Sequence, residues 1–406
     1  MAVLCTLCTL GATAQLSLAR PPPRLRVRGA LLIEAITGQE LYGDGAQREL
    51  PIASTTKLMT ALVSIEHARL GKIFAQNNYI PAPEDSQIGL VPGERMSVHD
   101  LLLALLLPSG DDAAEDLAYN VGHGSVSRFV EMMNARARQL GLTHTHYSTP
   151  SGLDTPGNYS SASDLIKLAR FMLKRSPFFA RAVASASAVL HTGNHVRVVQ
   201  NTNDLLGRVR WIHGVKTGHT VDAGYLLVAS GTRDGMTLES AVLGTTSASA
   251  RDASTLALLD YGFADFRLVR PVLAGAVVAR PSVHDRPGAR VGVIAGATFQ
   301  RVIRRTTRLT TRLELPHQLA GPLRRHAVVG TLLVLGDGVP IARVRLLLSR
   351  ALPAVSPLTL AARFITRPSS LALLAVLLAL LGVGLVALVF RRRGRLGARK
   401  SEVVQA

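Results

Sequence analysis

This chain of 406 residues has almost no thiol chemistry: its two cysteines are Cys5 and Cys8. Both lie in the apolar run Ala2 to Ala14, which ends in Ala12-Thr13-Ala14, an A-x-A pattern of the kind cleaved before Gln15 by a signal peptidase. Residues 1–14 are expected to be an export signal. The mature chain then has no disulfide, no thiol nucleophile and no cysteine-bound metal. Acidic residues are scarce in one part only: residues 267–406 carry 23 basic and 4 acidic side chains, against 23 and 23 in residues 1–266. The whole formal charge of +19 is therefore C-terminal, which excludes reading the entire chain as a nucleic-acid binder. A disordered chain is excluded too, since 48% of the residues are hydrophobic and the length allows two or three domains with cores of their own.

Charge is missing altogether from Leu371 to Phe390, 20 residues that match the length of a membrane-crossing helix. Arg391, Arg392, Arg393, Arg395, Arg399 and Lys400 follow, and the positive-inside tendency puts that tail in the cytoplasm and everything before it outside. The sortase pattern L-P-x-T-G is lacking, because Leu352-Pro353-Ala354-Val355-Ser356 does not fit it. A permanent single-pass anchor is expected.

The expected organisation is a Pro/Arg-rich spacer over 15–28, a main domain over 29–266, a small β-rich domain over 267–352, a linker over 353–370, the membrane helix over 371–390 and a basic tail over 391–406. Gly29 to Leu41 reads as two strands around Thr37-Gly38, and a helical period runs from Ser54 to Arg175. Ser97-Val98-His99-Asp100 and Ser161-Ala162-Ser163-Asp164 open helices as capping boxes, and Gly141 closes one. Strands return at 214–220, 224–230 and 237–243, before a helix near 250–261. This order predicts an α+β fold, in which the first and last strands meet in one antiparallel sheet with helices packed on it. The arginine excess of the β-rich domain is either a solvated face or a surface for lipid headgroups or anionic wall polymers.

Lysine is the other scarcity: six of 46 basic residues, at 57, 72, 167, 174, 216 and 400. An amine can lose its proton where a guanidinium cannot, so a lysine kept in an arginine-using chain marks a candidate for acid–base work. Lys57 follows Ser54 by three positions in Ser54-Thr55-Thr56-Lys57, on one helix face; the plain alternative is an N-cap serine and a solvated lysine. Lys216-Thr217-Gly218 lies on a strand, where Lys216 and Gly218 share a face and the glycine leaves room for a ligand. Between them stands Pro108-Ser109-Gly110-Asp111-Asp112, which taken alone reads as a helix-to-helix turn.

Together and in this order these residues resemble the penicillin-recognising serine enzymes, most closely the D-alanyl-D-alanine carboxypeptidases, the low-molecular-weight penicillin-binding proteins. The resemblance rests on PIASTTKLMTA (51–61), LLLPSGDDAA (105–114), LGLTHTH (140–146), Gly152 to Asp154, NTNDLL (201–206), GVKTGHTVDAGYLLVA (214–229) and LDYGF (259–263). It covers about residues 28–266, and more loosely the β-rich domain.

The resemblance implies a β-lactamase/transpeptidase-like domain, with Ser54 as acylated nucleophile, Lys57 as its base and Ser109 as proton relay. It gives Lys216 and Thr217 to the substrate carboxylate, and the N–H groups of Ser54 and His219 to the oxyanion, with Gly218 between them. The implied substrate is the peptidoglycan pentapeptide and the implied covalent inhibitors are β-lactams; no metal, cofactor or nucleic acid is implied. The family's Ser-x-Asn motif has Asp111 in third place here, and a carboxylate beside Lys57 is expected to raise that amine's pKa and weaken it as a base. The competing readings are a D,D-endopeptidase, a non-catalytic wall-binding protein, and a β-lactamase, although Glu131-Met132-Met133-Asn134 is not the E-x-x-L-N segment of the class A enzymes.

Overall fold

The computed structural model describes residues 20–355 apart from 84 and 285, residues 357, 361 and 364, and a helix over 368–401. The expected export signal lies outside the described residues. Two compact units emerge: one runs to Pro271 and takes in Gln300–Arg308, and the other comprises Val272–Phe299 and continues from Leu309.

The first unit is built on strands β1 (Gly29–Glu34) and β2 (Glu40–Asp44). Then follow α1 (Lys57–His67), the short strands β3 (Ile73–Ala75) and β4 (Arg95–Ser97), and α2 (Val98–Leu106). Next come α3 (Asp111–Val121), α4 (Val126–Leu140), α5 (Ala162–Arg175) and α6 (Pro177–Ala184). Another small hairpin, β5 (Ser187–Leu190) and β6 (Arg197–Gln200), precedes β7 (Ile212–Thr220), β8 (Gly224–Arg233), β9 (Met236–Thr245) and α7 (Ala248–Asp265).

The main sheet has the order β2-β1-β9-β8-β7, antiparallel throughout, so the first and last strands of the unit do meet. Its alternation is strict: Leu31, Ile33, Leu226, Val228, Ala241 and Leu243 point into one core, with α1 to α6. Ala30, Leu32, Leu227, Ala229, Leu238 and Val242 point into the other, with Leu258 and Leu259 of α7. This is the expected α+β architecture, with the sheet covered on both faces.

Local signals start and stop the helices. Ser97 and Ser161 accept at 3.1 Å from the N–H groups of Asp100 and Asp164. The reciprocal half of each box is absent: Asp100 instead takes the N–H groups of His191 and Thr192, and Asp164 that of His144. Gly141 ends α4 in the left-handed region at φ 65°. The hairpins β3–β4 and β5–β6 interrupt a stretch that reads as helical or as loop, because strands of three or four residues are too short to show alternation.

The second unit holds a five-stranded sheet in the order 277–279, 293–295, 339–348, 328–336, 309–314, closed on a core of Val293, Leu332, Val344, Leu346 and Leu348. Asp337 (φ 50°) and Gly338 (φ 83°) make the tight turn of its long hairpin. Segment 300–308 belongs to the first unit because strand Phe299–Arg304 pairs with Phe266–Val272 and Val302 sits in the α7 core. Helix α8 (Pro368–Ser401) contains the exposed apolar stretch Leu371–Arg391, about 31 Å long at 1.5 Å per residue, long enough to cross a bilayer core of about 30 Å.

The segment between β3 and β4 is clamped by a buried ion pair: Arg197 donates to both oxygens of Glu94 (2.8 and 3.0 Å) and to the carbonyls of Ile88 and Gly89. Arg197→Met leaves that carboxylate buried without its cation, and is expected to lower the unfolding free energy by about 3 kcal/mol. Urea unfolding at neutral pH measures this; an unchanged midpoint would show that the clamp adds nothing.

Candidate active site

Ser54 lies in a 3-10 turn, Ala53–Thr56, that leads directly into α1, whose first residue is Lys57. Ala53 is held at φ 45°, an uncommon value for a residue with a Cβ. Two glycines let neighbouring backbone close on this turn. A Cβ at Gly152 (φ 90°) would run into the Ala53 carbonyl, and one at Gly218 would lie 3.1 Å from the Ile52 carbonyl.

Lys57 is fully buried. Its Nζ lies 2.9 Å from Ser54 Oγ, 2.6 Å from Asp111 Oδ1 and 2.8 Å from the Ser151 carbonyl oxygen. The plain alternative of an N-cap serine with a solvated lysine does not hold, since no side chain caps the turn or α1.

The second element enters from the α2–α3 connection. Ser109 sits at φ 71° and Asp111 is the first residue of α3. Asp111 Oδ2 accepts from the Ser86 N–H at 2.9 Å, and its own N–H donates to the Ser86 carbonyl at 2.6 Å. Asp112 accepts from the N–H groups of Ile88 and Leu90, so the segment 86–90 lies along the start of α3.

The third element is β7. Lys216, also buried, donates to Ser109 Oγ at 3.0 Å and to the Thr217 carbonyl at 3.2 Å, while Thr217 Oγ1 lies 2.6 Å from Thr202 Oγ1. His219 is exposed and stacks on Tyr225 with ring centroids 3.9 Å apart. Thus Ser54, Lys57 and Asp111 share one network and Ser109, Lys216 and Thr217 a second, with Gly218 against the Ser54 turn. An open cleft of about 410 Å³ borders the turn, lined by Ile52, Ala53, Gly152, Leu153, Asp154 and Asp222 among others.

Burial pulls the Lys57 amine below its ordinary value, and Asp111 pulls it part of the way back. The carboxylate beside Lys57 does raise that amine's pKa, as expected, but desolvation of the fully buried amine is the larger effect. Lys216 is pulled well down by burial and then by the charge of Lys57. Glu115, one helical turn after Asp111, is pushed up to about 7 by burial and by Asp111.

Sequence reasoning missed several participants. Ser86 and Ser151 act through backbone groups, which leave no residue-type signal. Thr202 stands in the NTNDLL segment but gains a role only through its contact with Thr217. Arg251 of α7 is 4% exposed, and its charge helps to lower the Lys216 pKa. Its Nη2 makes no hydrogen bond and lies 3.5 Å from Asp204. Among the described residues no group of histidine and carboxylate side chains is arranged to hold a metal ion.

Comparison with known proteins shows the family of the chain. A profile of the D-alanyl-D-alanine carboxypeptidase family matches residues 17–247. A D-alanyl-D-alanine carboxypeptidase of Streptomyces sp. strain K15 is 36% identical over 275 residues, 63% of this chain and 93% of that one. The carboxypeptidase DacA of Escherichia coli K12 is 30% identical over 347 residues, 82% of this chain and 85% of that one. Among solved structures, penicillin binding protein 5 from Haemophilus influenzae superposes with a TM-score of 0.66 at 28% identity, covering 82% of this chain and 99% of that one. The Streptomyces K15 DD-transpeptidase gives 0.57 at 34% identity, covering 60% and 100%.

The charge balance around Lys57 is directly measurable. In a nitrogen-15 NMR titration the Lys57 amine is expected to titrate below 10.5. Asp111→Asn removes an interaction that favours the ammonium form, so the titration should move to still lower pH. A shift to higher pH would mean that the carboxylate does not stabilise the ammonium.

Proposed function

The chain belongs to the D-alanyl-D-alanine carboxypeptidase family of serine peptidases, and on that premise we propose how its residues remove the terminal D-alanine from a peptidoglycan stem pentapeptide. The observation that carries the reading is the surroundings of the Lys57 amine. Two of its three partners, the Asp111 carboxylate and the Ser151 carbonyl, can only accept hydrogen bonds. A neutral amine has two N–H bonds and one lone pair. The lone pair must then face Ser54, whose hydroxyl is the one partner with a proton to give.

In the proposed reaction Ser54 Oγ attacks the carbonyl carbon of the penultimate D-alanine as its proton passes to Lys57 Nζ. The N–H groups of Ser54 and His219 hold the oxyanion. Ser109 passes a proton to the leaving nitrogen and takes one in turn from the Lys57 ammonium, so that the C–N bond breaks, free D-alanine departs and Lys57 is again neutral. Water then adds to the ester, giving a proton to Lys57, which returns it to Ser54 Oγ as the shortened peptide leaves. Lys216 and the Thr217 hydroxyl, oriented by Thr202, bind the substrate's terminal carboxylate, with Arg251 adding positive charge behind them. A β-lactam enters by the same attack and leaves its opened ring on Ser54. An amine in place of water would complete a transpeptidation, and the relative from Streptomyces K15 is a DD-transpeptidase.

Helix α8 fits a membrane anchor. The basic residues after Phe390 support a cytoplasmic C-terminus with the catalytic unit outside, where its substrate is.

Ser54→Ala and Lys57→Arg are each expected to abolish labelling by a fluorescent penicillin and release of D-alanine, the second because a guanidinium keeps its proton. Labelling retained in Ser54→Ala would move the nucleophile elsewhere. The proposed orientation predicts that protease added outside protoplasts removes both units and leaves a short membrane-bound stub. Protection of the catalytic unit in intact protoplasts would reverse the topology.

A further inference from the structure

The arginine excess of the second unit is not spread evenly. It gathers where the chain leaves the unit for α8. Leu352 forms an isolated bridge with Leu323, which places Arg324 and Arg325 beside this exit. Arg350 donates to the Arg290 carbonyl at 3.3 Å, and Arg286 reaches the Pro353 carbonyl at 3.5 Å. The N–H of His326, next to Arg325, donates to the Leu348 carbonyl. Five arginines therefore surround the segment 348–353, and Arg290, Arg324, Arg325 and Arg350 are exposed.

Negative charge is sparse around them. Among the described residues of this unit the carboxylates are Glu314, which pairs with Arg312 at 3.5 Å, and Asp337. Asp337 sits in the turn of the long hairpin, whose strand Val339–Leu348 separates it from the exit by about 30 Å at roughly 3.3 Å per residue. Asp285 adjoins Arg286 in sequence and lies outside the described residues.

We propose that Arg286, Arg290, Arg324, Arg325 and Arg350 form a collar at the chain exit that docks the second unit onto anionic phospholipid headgroups of the bilayer that α8 crosses. The inference rests on the membrane reading of α8 and not on any catalytic role. The tether favours lipid over a soluble polyanion. Eighteen residues separate Leu352 from Leu371, so the collar is held within at most about 60 Å of the span, where headgroups are at high effective concentration. Guanidinium forks suit phosphate oxygens. Each arginine near such a surface strengthens docking about fivefold, an effect that salt screens.

The test uses the full chain with Cys5→Ser and Cys8→Ser, and Ala351→Cys as the site of a fluorescent label. Flotation with phosphatidylcholine vesicles checks the anchor separately: a chain that fails to float refutes the membrane reading itself. Contact with the surface is then read as quenching by a lipid carrying a nitroxide on its headgroup. Strong quenching is expected with phosphatidylglycerol present and weak quenching in phosphatidylcholine alone, with reversal in about 1 M salt, where the screening length is roughly 3 Å. Replacing all five arginines by glutamine should abolish the difference while penicillin labelling at Ser54 persists. The five-lysine variant should keep docking, which separates charge from loss of fold. Equal quenching in both lipids, or in the glutamine variant, overturns the proposal. So does loss of the quenching on addition of stoichiometric soluble poly(glycerol phosphate) while the chain still floats, which would assign the collar to a wall polymer.

Discussion

A lysine amine with no access to water is the constraint around which the first unit is arranged. Lys57 gives up its hydration entirely, and three separate parts of the chain supply its replacement partners: the turn before α1, the first residue of α3 and the backbone at Ser151. Removing a charge from water costs several kcal/mol unless partners compensate, so these elements must arrive together and stay. Each has its own fixing device. Gly152 lets the 149–153 segment lie against Ala53, the Ser86 backbone grips Asp111 from both sides, and the aliphatic end of α2 is buried beneath the connection to α3.

The same burial sets the order of proton affinities. Lys57 is lowered by burial while its carboxylate neighbour pulls it part of the way back; Lys216 is lowered well below its ordinary value by burial and then by the positive charge of Lys57. Two amines side by side in a dry site cannot both hold protons cheaply, and the carboxylate decides which one does. Asp111 biases the proton toward Lys57, against its proposed role as base. The bias is bounded because Asp111 divides its charge between Lys57 and the Ser86 N–H, and because Glu115 nearby is itself pushed up to about 7. An aspartate at this position therefore adjusts the base without cancelling the effect of burial.

Much of this was legible in the residues. The order of strands and helices predicted one antiparallel sheet joining the first and last strands, serine caps marked α2 and α5, and the spacing of Ser54, Lys57 and Lys216 marked the chemistry. What escaped has physical reasons. Strands as short as β3 to β6 carry too little alternation to be seen, and backbone donors such as Ser86 leave no trace in residue identity. The competition between burial and Asp111 depends on how deep Lys57 lies, which a motif does not encode. Arg251 is one arginine among forty, and only its burial on α7, which packs across β9 and β8, distinguishes it.

The preference for arginine over lysine has one further consequence. Arginine keeps its charge at any pH the chain meets, whereas a buried lysine surrenders its proton readily. In this chain the two properties are segregated. Lys57 and Lys216 are the fully buried amines of the first unit, and the second unit carries arginine with no lysine before Lys400 in the basic tail. A surface meant to hold an anionic layer gains from charge that does not titrate, and a site meant to move protons gains from charge that does. The chain's +19 thus belongs mainly to the portion that adjoins the anchor, and the near neutrality of residues 1–266 leaves the balance around Lys57 to be set by groups within a few ångströms of it.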